Sequence, residues 1–474
     1  MCIKIFTKNV SPHSSYSVIK VLLRQLNVVP TSTSDRYRIL GSFLMGRNYS
    51  TRTETQTNVV HNDTEGAKTI KKKRIASESR KTKPSNTSST EILDYMNSKP
   101  SLKSLLNHLP EKLLKRKRAK PDAFYAIDSD VANKLVELIG QDVVKGGVPV
   151  YEANPGLGLI SKHLLNAGVQ RLCVCEPSPS FSQQMKDLKN AFPERVKDIK
   201  MDIFALGKMT YLDNVDGGSR IQTLFQEVPK ADWTDDPVVK IIGVVPSQTF
   251  IKYLIRSHTF QAGLFSYGRP ELYLLMSPQL YFYLTCKPSD GNFLYRYISV
   301  LFQLTFQWSL LDKLPRKAFL PWENIPSIKK RSKLTKMRSI DPDVLYLVKI
   351  VPRHDFFKSV VPVDQLPSLW YFVRHNMMSR KNRVIPQLEK WIPGCGPRII
   401  TGGMTIHTQF GELTPKEILS IFRKFVSWPE FPVCPFLASM ETIFMKMEPG
   451  SDDIGKESDE EEEEVPVVED EIDS

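Results

Sequence analysis

The chain has 474 residues, with 65 Lys and Arg against 52 Asp and Glu and a formal net charge of +13. The apolar stretch 294–311 is broken by Arg296, Gln303 and Gln307, which argues against a membrane span and for a core helix, so no membrane partner is expected. Six cysteines (Cys2, Cys173, Cys175, Cys286, Cys395, Cys434) show no CxxC spacing; they read as buried thiols in a reducing compartment, and no metal site is expected.

Taken in chain order, residues 1–49 carry seven Lys or Arg against the single acid Asp35, with Lys20 and Arg24 interleaved among apolar residues. That is the composition of a mitochondrial transit peptide, and Arg47 lies two residues ahead of Tyr49 as matrix-peptidase sites require. A basic disordered linker is expected over 50–119, with the run Lys71–Arg74, one short helix over 101–118 and, leading into the folded unit, the run Lys115–Lys120.

From residue 120 the pattern becomes α/β. Val148 and Val150 alternate with their neighbours as a strand, Asn154-Pro155-Gly156-Leu157-Gly158 follows, and 159–167 reads as a helix. A second apolar run, 171–176, ends in Glu176, 24 residues after Glu152, and a third strand over 199–202 ends in Asp202. Acids at the ends of successive parallel strands beside a glycine turn suit an adenosine-type ligand: Glu176 can accept from both ribose hydroxyls and Asp202 from the adenine amine. The candidate cofactor residues are therefore Glu152, Asn154, Gly156, Gly158, Glu176 and Asp202. The turn lacks the third glycine of a dinucleotide fingerprint, in keeping with S-adenosylmethionine, which has no pyrophosphate. Further strands are expected at 238–245, 271–276, 306–311 and 343–351. The whole predicts a doubly wound methyltransferase-like sheet over 120–355, a helical subdomain over 356–445 and an acidic disordered tail over 446–474. A helix over 414–426 is expected to start with Thr414 as cap and Pro415 in its first turn.

These residues together resemble the rRNA adenine N6-dimethyltransferase family and, within it, the mitochondrial transcription factor B type in its second paralogue. Glu-Ala-Asn-Pro-Gly-Leu-Gly at 152–158 is similar to that paralogue's glycine turn, whereas active members usually have Gly where Asn154 stands. Residues 229–237, Pro-Lys-Ala-Asp-Trp-Thr-Asp-Asp-Pro, and Gly243-Val244-Val245-Pro246-Ser247 are similar to its lead into a degenerate strand end. Active members carry Asn-Leu-Pro-Tyr there: the Asn and nearby main-chain carbonyls hold the amine of an extruded adenine and the aromatic ring stacks on it. At the target-base motif Val244, Val245, Pro246 and Ser247, a valine accepts no hydrogen bond and a serine has no π-face. No confident catalytic residue remains.

The resemblance implies an S-adenosylmethionine-methyltransferase fold reused to help a single-subunit mitochondrial RNA polymerase melt promoter DNA in the matrix nucleoid. The alternative is N6,N6-dimethylation of two adjacent adenosines of mitochondrial small-subunit rRNA, hence rRNA processing and RNA binding rather than DNA binding. Charge favours a polyanion in either case. Residues 451–474 hold thirteen acids and one Lys, a net −12, so residues 1–450 carry +25. Two clusters are the candidate nucleic-acid contacts: Lys329, Lys330, Arg331, Lys333, Lys336 and Arg338 between the last two strands, and Arg380, Lys381 and Arg383, with Arg374 and His375, in a helical stretch over 369–392. Trp370, Tyr371 and Phe372 in that stretch read as core, and His375 as a surface or capping residue. The acidic tail is expected to compete with nucleic acid for basic surface.

Overall fold

The structure, a computed structural model, describes residues 87–114, 121–290, 294–322 and 341–446. The expected transit peptide, the basic runs at 71–74 and 115–120, the cluster from Lys329 to Arg338 and the acidic tail lie outside the described residues.

Strands β1 (Tyr125–Ala126) and β8 (Phe319–Leu320) form a small antiparallel pair. The other strands make one seven-stranded sheet: β2 (Val150–Ala153), β3 (Leu172–Cys175), β4 (Val196–Ile199), β5 (Val239–Val244), β6 (Pro270–Met276), β7 (Phe306–Pro315) and β9 (Val344–Pro352). Their order is β4-β3-β2-β5-β6-β9-β7, parallel from β4 to β6, with β9 antiparallel to both neighbours. The expected α/β doubly wound sheet is present, and its order reverses at β2, so the general rule for such sheets places a candidate ligand site at the strand ends beside the turn that follows β2. Parallel strands must be covered on both faces, and the side chains divide accordingly. Tyr151, Cys173, Cys175 and Ile241 enter one core, and Val150, Leu172, Val174 and Ile242 the other. The described cysteines are free thiols, four of them buried.

The third strand lies at 196–199 rather than 199–202. Asp202 turns the chain there, its Oδ1 accepting from Phe204 N at 2.9 Å to start a 3-10 turn, so the strand ends three residues earlier. The expected linker is also ordered over 87–114. Helices α1 (Thr87–Asn97), α2 (Pro100–Leu105) and α3 (Glu111–Leu114) bury Ile92, Met96, Leu102 and Leu113 against Leu157, Phe181 and Trp322. The single helix expected over 101–118 is interrupted because Pro110 cannot donate within a helix interior. Lys99 fastens this segment to the sheet domain through Asp128 at 2.9 Å, while Asp128 Oδ1 caps α4 (Ser129–Val144) by accepting from Asp130 N at 3.0 Å.

Helix α5 (Leu159–Asn166) packs beside α4, and α6 (Thr249–Thr259) follows β5. The C-terminal helices α7 (Leu366–Asn376), α8 (Val384–Glu389), α9 (Pro415–Ser427) and α10 (Pro435–Lys446) share the core of one sheet face. The stretch expected as one helix over 369–392 is thus two. Between them, Arg380 O accepts from Gly411 N at 3.0 Å and Asn382 O from Phe410 N at 2.9 Å, and those carbonyls are spent on the neighbouring loop instead of a helix. Gly411 is required there, since a Cβ would stand 2.6 Å from Arg380 Cβ. Helix α9 begins as read from sequence, with Thr414 accepting from Glu417 N and Glu417 reaching back to Thr414 N. Among the described residues no helix is long and apolar enough to cross a membrane.

One buried cation locks α4 to the sheet. Lys240 on β5 is 5% exposed, and its Nζ donates to the carbonyls of Asp142, Val143 and Lys145 at the end of α4. A cation there satisfies orphan carbonyls and the negative helix end together. Lys349 bridges Asp142 and Glu271 beside it at 2.6 and 2.7 Å. Lys240→Met keeps the length and strands the carbonyls, and is expected to cost about 2–3 kcal/mol in urea unfolding; a loss below about 0.5 kcal/mol would contradict this role.

Candidate functional site at the strand ends

The turn after β2 is built on positive φ. Asn154 (φ 54°), Gly156 (57°) and Gly158 (71°) all take the left-handed region, which Asn tolerates and Gly adopts freely. A Cβ on Gly156 would meet the Tyr125 ring at 2.7 Å, so only a glycine lets the turn pass under that ring. Tyr125 in turn packs on Phe181, with ring centroids 4.7 Å apart.

Three carboxyls gather at this edge, and burial governs all of them. Glu152 on β2 is 1% exposed, and burial pushes its carboxyl up to about 8; a 2.5 Å hydrogen bond from Ser161 Oγ offsets this and the nearby Glu176 charge adds to it. Glu176, just past β3, is fully buried and pushed up to about 7 by burial; Ser178 N and Gly156 N each donate at 2.9 Å and hold the rise in check. Asp202 is raised by burial, with Phe204 N–H and then the Asn154 amide working the other way. The Asn154 amide stands close to Asp202 without forming a hydrogen bond: neither its nitrogen nor its oxygen has a partner among the described residues, and the residue is 4% exposed.

Such an orphaned donor and acceptor are costly unless a ligand completes them. The set fits an adenosine-type cofactor: one carboxyl with free acceptor capacity beside the turn, a second at the next strand end, and an unbonded amide between. The six sequence-derived residues are therefore brought together, although Glu152 holds Ser161 and serves the turn from beneath. Sequence reading missed Ser161, Tyr125 and Phe181. Ser161 had a faint signal as the polar residue in the helix after the turn, and the two aromatics had none.

The end of β5 beside this turn is apolar and buried. Val244 is 4% exposed and packs in the same core as Val174, Ile242 and Leu275. Val245 is also buried, its N–H donating to Leu275 O at 2.8 Å, while Pro246 is half-buried. Ser247 is exposed, and its Oγ accepts from Thr249 N at 3.3 Å as α6 begins. Gly243 marks close packing, since a Cβ would meet Ala153 Cβ at 2.8 Å.

The second basic cluster is divided. Arg380 is half-buried and its Nη2 donates to Gly411 O at 2.9 Å, whereas Lys381 and Arg383 are exposed. Arg374 lies over the Trp370 ring at 5.4 Å. His375 is half-buried between Tyr371 and Trp391, at 5.5 and 5.1 Å, rather than a surface or capping residue. Trp370, Tyr371 and Phe372 are core.

The sequence profile described as "Ribosomal RNA adenine dimethylase" matches residues 115–426. The chain belongs to that family. It is 37% identical over 399 residues to a Drosophila melanogaster protein named "Dimethyladenosine transferase 2, mitochondrial", covering 76% of this chain and 88% of that one. A Bos taurus protein of the same name is 24% identical over 274 residues, 57% and 68% of the two chains. Among solved structures, the 23S rRNA methyltransferase ErmE superposes with a TM-score of 0.40 at 12% identity, covering 64% of this chain and 99% of that one.

The Glu152 carboxyl yields a pH prediction. Its proton is held more tightly in the folded chain than in the unfolded one, so it contributes stability in acid that is lost as pH rises from the ordinary 4.5 toward about 8. Glu152→Gln removes the titration. Between about pH 5 and about pH 8 the fall in unfolding free energy should flatten by up to ~1.4 kcal/mol per pH unit; an unchanged slope would contradict the buried, protonated carboxyl.

Proposed function

We propose that the chain is a mitochondrial transcription initiation factor that binds nucleic acid and helps a mitochondrial RNA polymerase melt promoter DNA. It is built on a dimethyltransferase fold whose base-holding strand end has lost its orienting groups. The observation that carries this reading is the apolar burial of Val244 together with the exposure of Ser247, which offers no ring to stack on a base. Methyl transfer from an already activated sulfonium depends on positioning the accepting amine, so lost positioning is lost rate. The fold and the excess of Lys and Arg persist, which suits a protein that holds a melted strand through its backbone. The relatives named above are mitochondrial by name, which supports placing this chain in the mitochondrion; the matrix nucleoid is the compartment the promoter reading requires.

S-adenosylmethionine is the ligand we assign to Glu152, Asn154, Gly156, Gly158, Glu176 and Asp202. Glu176 would take the ribose hydroxyls, Asp202 with the Asn154 amide the adenine edge, and the cofactor would supply a methyl group. Because the Glu176 carboxyl is held near 7, its affinity for hydroxyl donors should rise with pH through that value. The second reading, dimethylation of adjacent adenosines in mitochondrial small-subunit rRNA, is favoured by that same set of acids and orphaned amide. Lys381 and Arg383, and the cluster of Lys329, Lys330, Arg331, Lys333, Lys336 and Arg338, are the proposed phosphate contacts.

Two outcomes test the choice. Purified protein with S-adenosylmethionine should transfer little or no methyl to small-subunit rRNA, and efficient turnover would overturn the reading; Val244→Asn with Ser247→Tyr should recover a fraction of family activity only if the buried amide is tolerated. Affinity for single-stranded promoter DNA should fall steeply with salt. Charge reversal at Lys329, Lys330 and Arg331 should weaken binding and flatten the log–log salt slope by about one for each phosphate no longer neutralised; an unchanged slope would remove that cluster from the interface.

A further inference from the structure

The last helix ends beside a guanidinium that lacks a counterion among the described residues. Phe444, near the end of α10 and 2% exposed, is held between Phe260 at 5.3 Å and Trp370 at 5.5 Å. Phe260 follows α6, and its N–H donates to Arg256 O at 3.1 Å; Arg256 is thus one turn back along the helix, about 5.4 Å. Arg374 is one turn beyond Trp370 on α7 and lies over its ring at 5.4 Å. Two arginines on neighbouring helices therefore flank the ring that anchors α10.

Arg256 is only partly exposed, and its Nε has no hydrogen-bond acceptor among the described residues. Burial pushes its guanidinium down to about 10; the Tyr253 phenol partly offsets this and the Arg374 charge adds to it, and no carboxylate of the described residues contributes. Burying a guanidinium whose own charge no acid of the described residues offsets, as at Arg256, is costly. An anion that reaches this corner recovers that cost.

The chain itself supplies one. Helix α10 ends at Lys446, and the next acids are Glu448, Asp452 and Asp453, followed by Glu457, Asp459 and the run Glu460–Glu464. Six extended residues span up to about 20 Å, so the first Asp pair comes within range of the corner even if the chain leaves α10 in an unfavourable direction. A segment tethered this closely acts at an effective concentration on the order of millimolar, and thirteen acids in 451–474 allow rebinding. A nucleic-acid phosphate has the same charge chemistry but no tether.

We propose that the acidic segment 451–474 docks within its own chain on the corner formed by Arg256 and Arg374 between α6 and α7. The segment thereby covers part of the basic body. Its release by a competing polyanion is a consequence that rests on the nucleic-acid reading above, whereas the docking does not.

Digestion of the full chain with a glutamate-specific protease tests the docking without any nucleic acid. At low salt, cleavage within Glu460–Glu464 should be slow, and Arg256→Gln should speed it roughly tenfold. Arg256→Lys should keep most of the protection, and high salt should abolish the difference. Equal cleavage of wild type and Arg256→Gln at low salt overturns the proposal, as does Arg256→Lys behaving like Arg256→Gln. Should the tail be unprotected while Arg256→Gln weakens binding of single-stranded DNA, the corner holds phosphate and the proposal falls. Hydrogen exchange on the full chain gives a readout independent of any change at Arg256. Replacing Glu460, Glu461, Glu462, Glu463 and Glu464 by Gln should speed amide exchange at 256–260 and 370–376, and no change there overturns the docking.

Discussion

The hydrogen bond from Gly156 N to the Glu176 carboxyl, 2.9 Å long and fully buried, is the constraint on which the site depends. It ties the turn after β2 to the end of β3, at the point where the strand order reverses. For the amide to aim at that carboxyl, Asn154, Gly156 and Gly158 must take positive φ, and Tyr125 must find a glycine beneath its ring. The ring then joins Phe181, Leu157 and the N-terminal helices in one apolar cluster, so the glycine turn sets both the ligand crevice and the packing that covers its outer side. Low dielectric at the same place raises the carboxyls of Glu152, Glu176 and Asp202 together.

What keeps the crevice polar does not extend to the base side. The ends of β2, β3 and β4 present carboxyls, whereas β5 ends in a valine committed to the core, and the exposed Ser247 beyond it accepts from Thr249 N. A change at Val244 alone would bury an amide among Val174, Ile242 and Leu275 without an evident partner, at the usual cost of an unsatisfied polar group. On the function proposed above, the missing orienting group is replaced by core packing, and introducing one at Val244 has to disturb that core. The cofactor side faces no such barrier, since its buried acids and orphaned amide remain in place.

Much of the sheet was legible because parallel strands are buried on both faces and read as short apolar runs ending in turn residues. β4 is the exception: it lies at the sheet edge, and its sequence Val196-Lys197-Asp198-Ile199 is half polar, as is the expected 199–202, so no apolar run fixes where the strand begins and ends. The helices over 87–114 were hidden by Ser and Thr, although Ile92 and Met96 at a four-residue spacing and Pro100 in a first turn were signals of the right kind. The break in the stretch 369–392 could not be read locally, because the residues that cause it, Phe410 and Gly411, come from a distant loop. The acids Glu152, Glu176 and Asp202 were legible from their order after strands. Tyr125 was not, since covering a glycine is a property of the fold and leaves no pattern in the chain.

The central claim, that this fold now serves strand separation rather than base methylation, is tested most directly by reconstituted initiation with a mitochondrial RNA polymerase on two templates, one a fully paired promoter and the other the same promoter with its start region already melted. The account predicts strong dependence of run-off product on this protein with the paired template and little dependence with the melted one. Equal product with and without the protein on the paired template would contradict it.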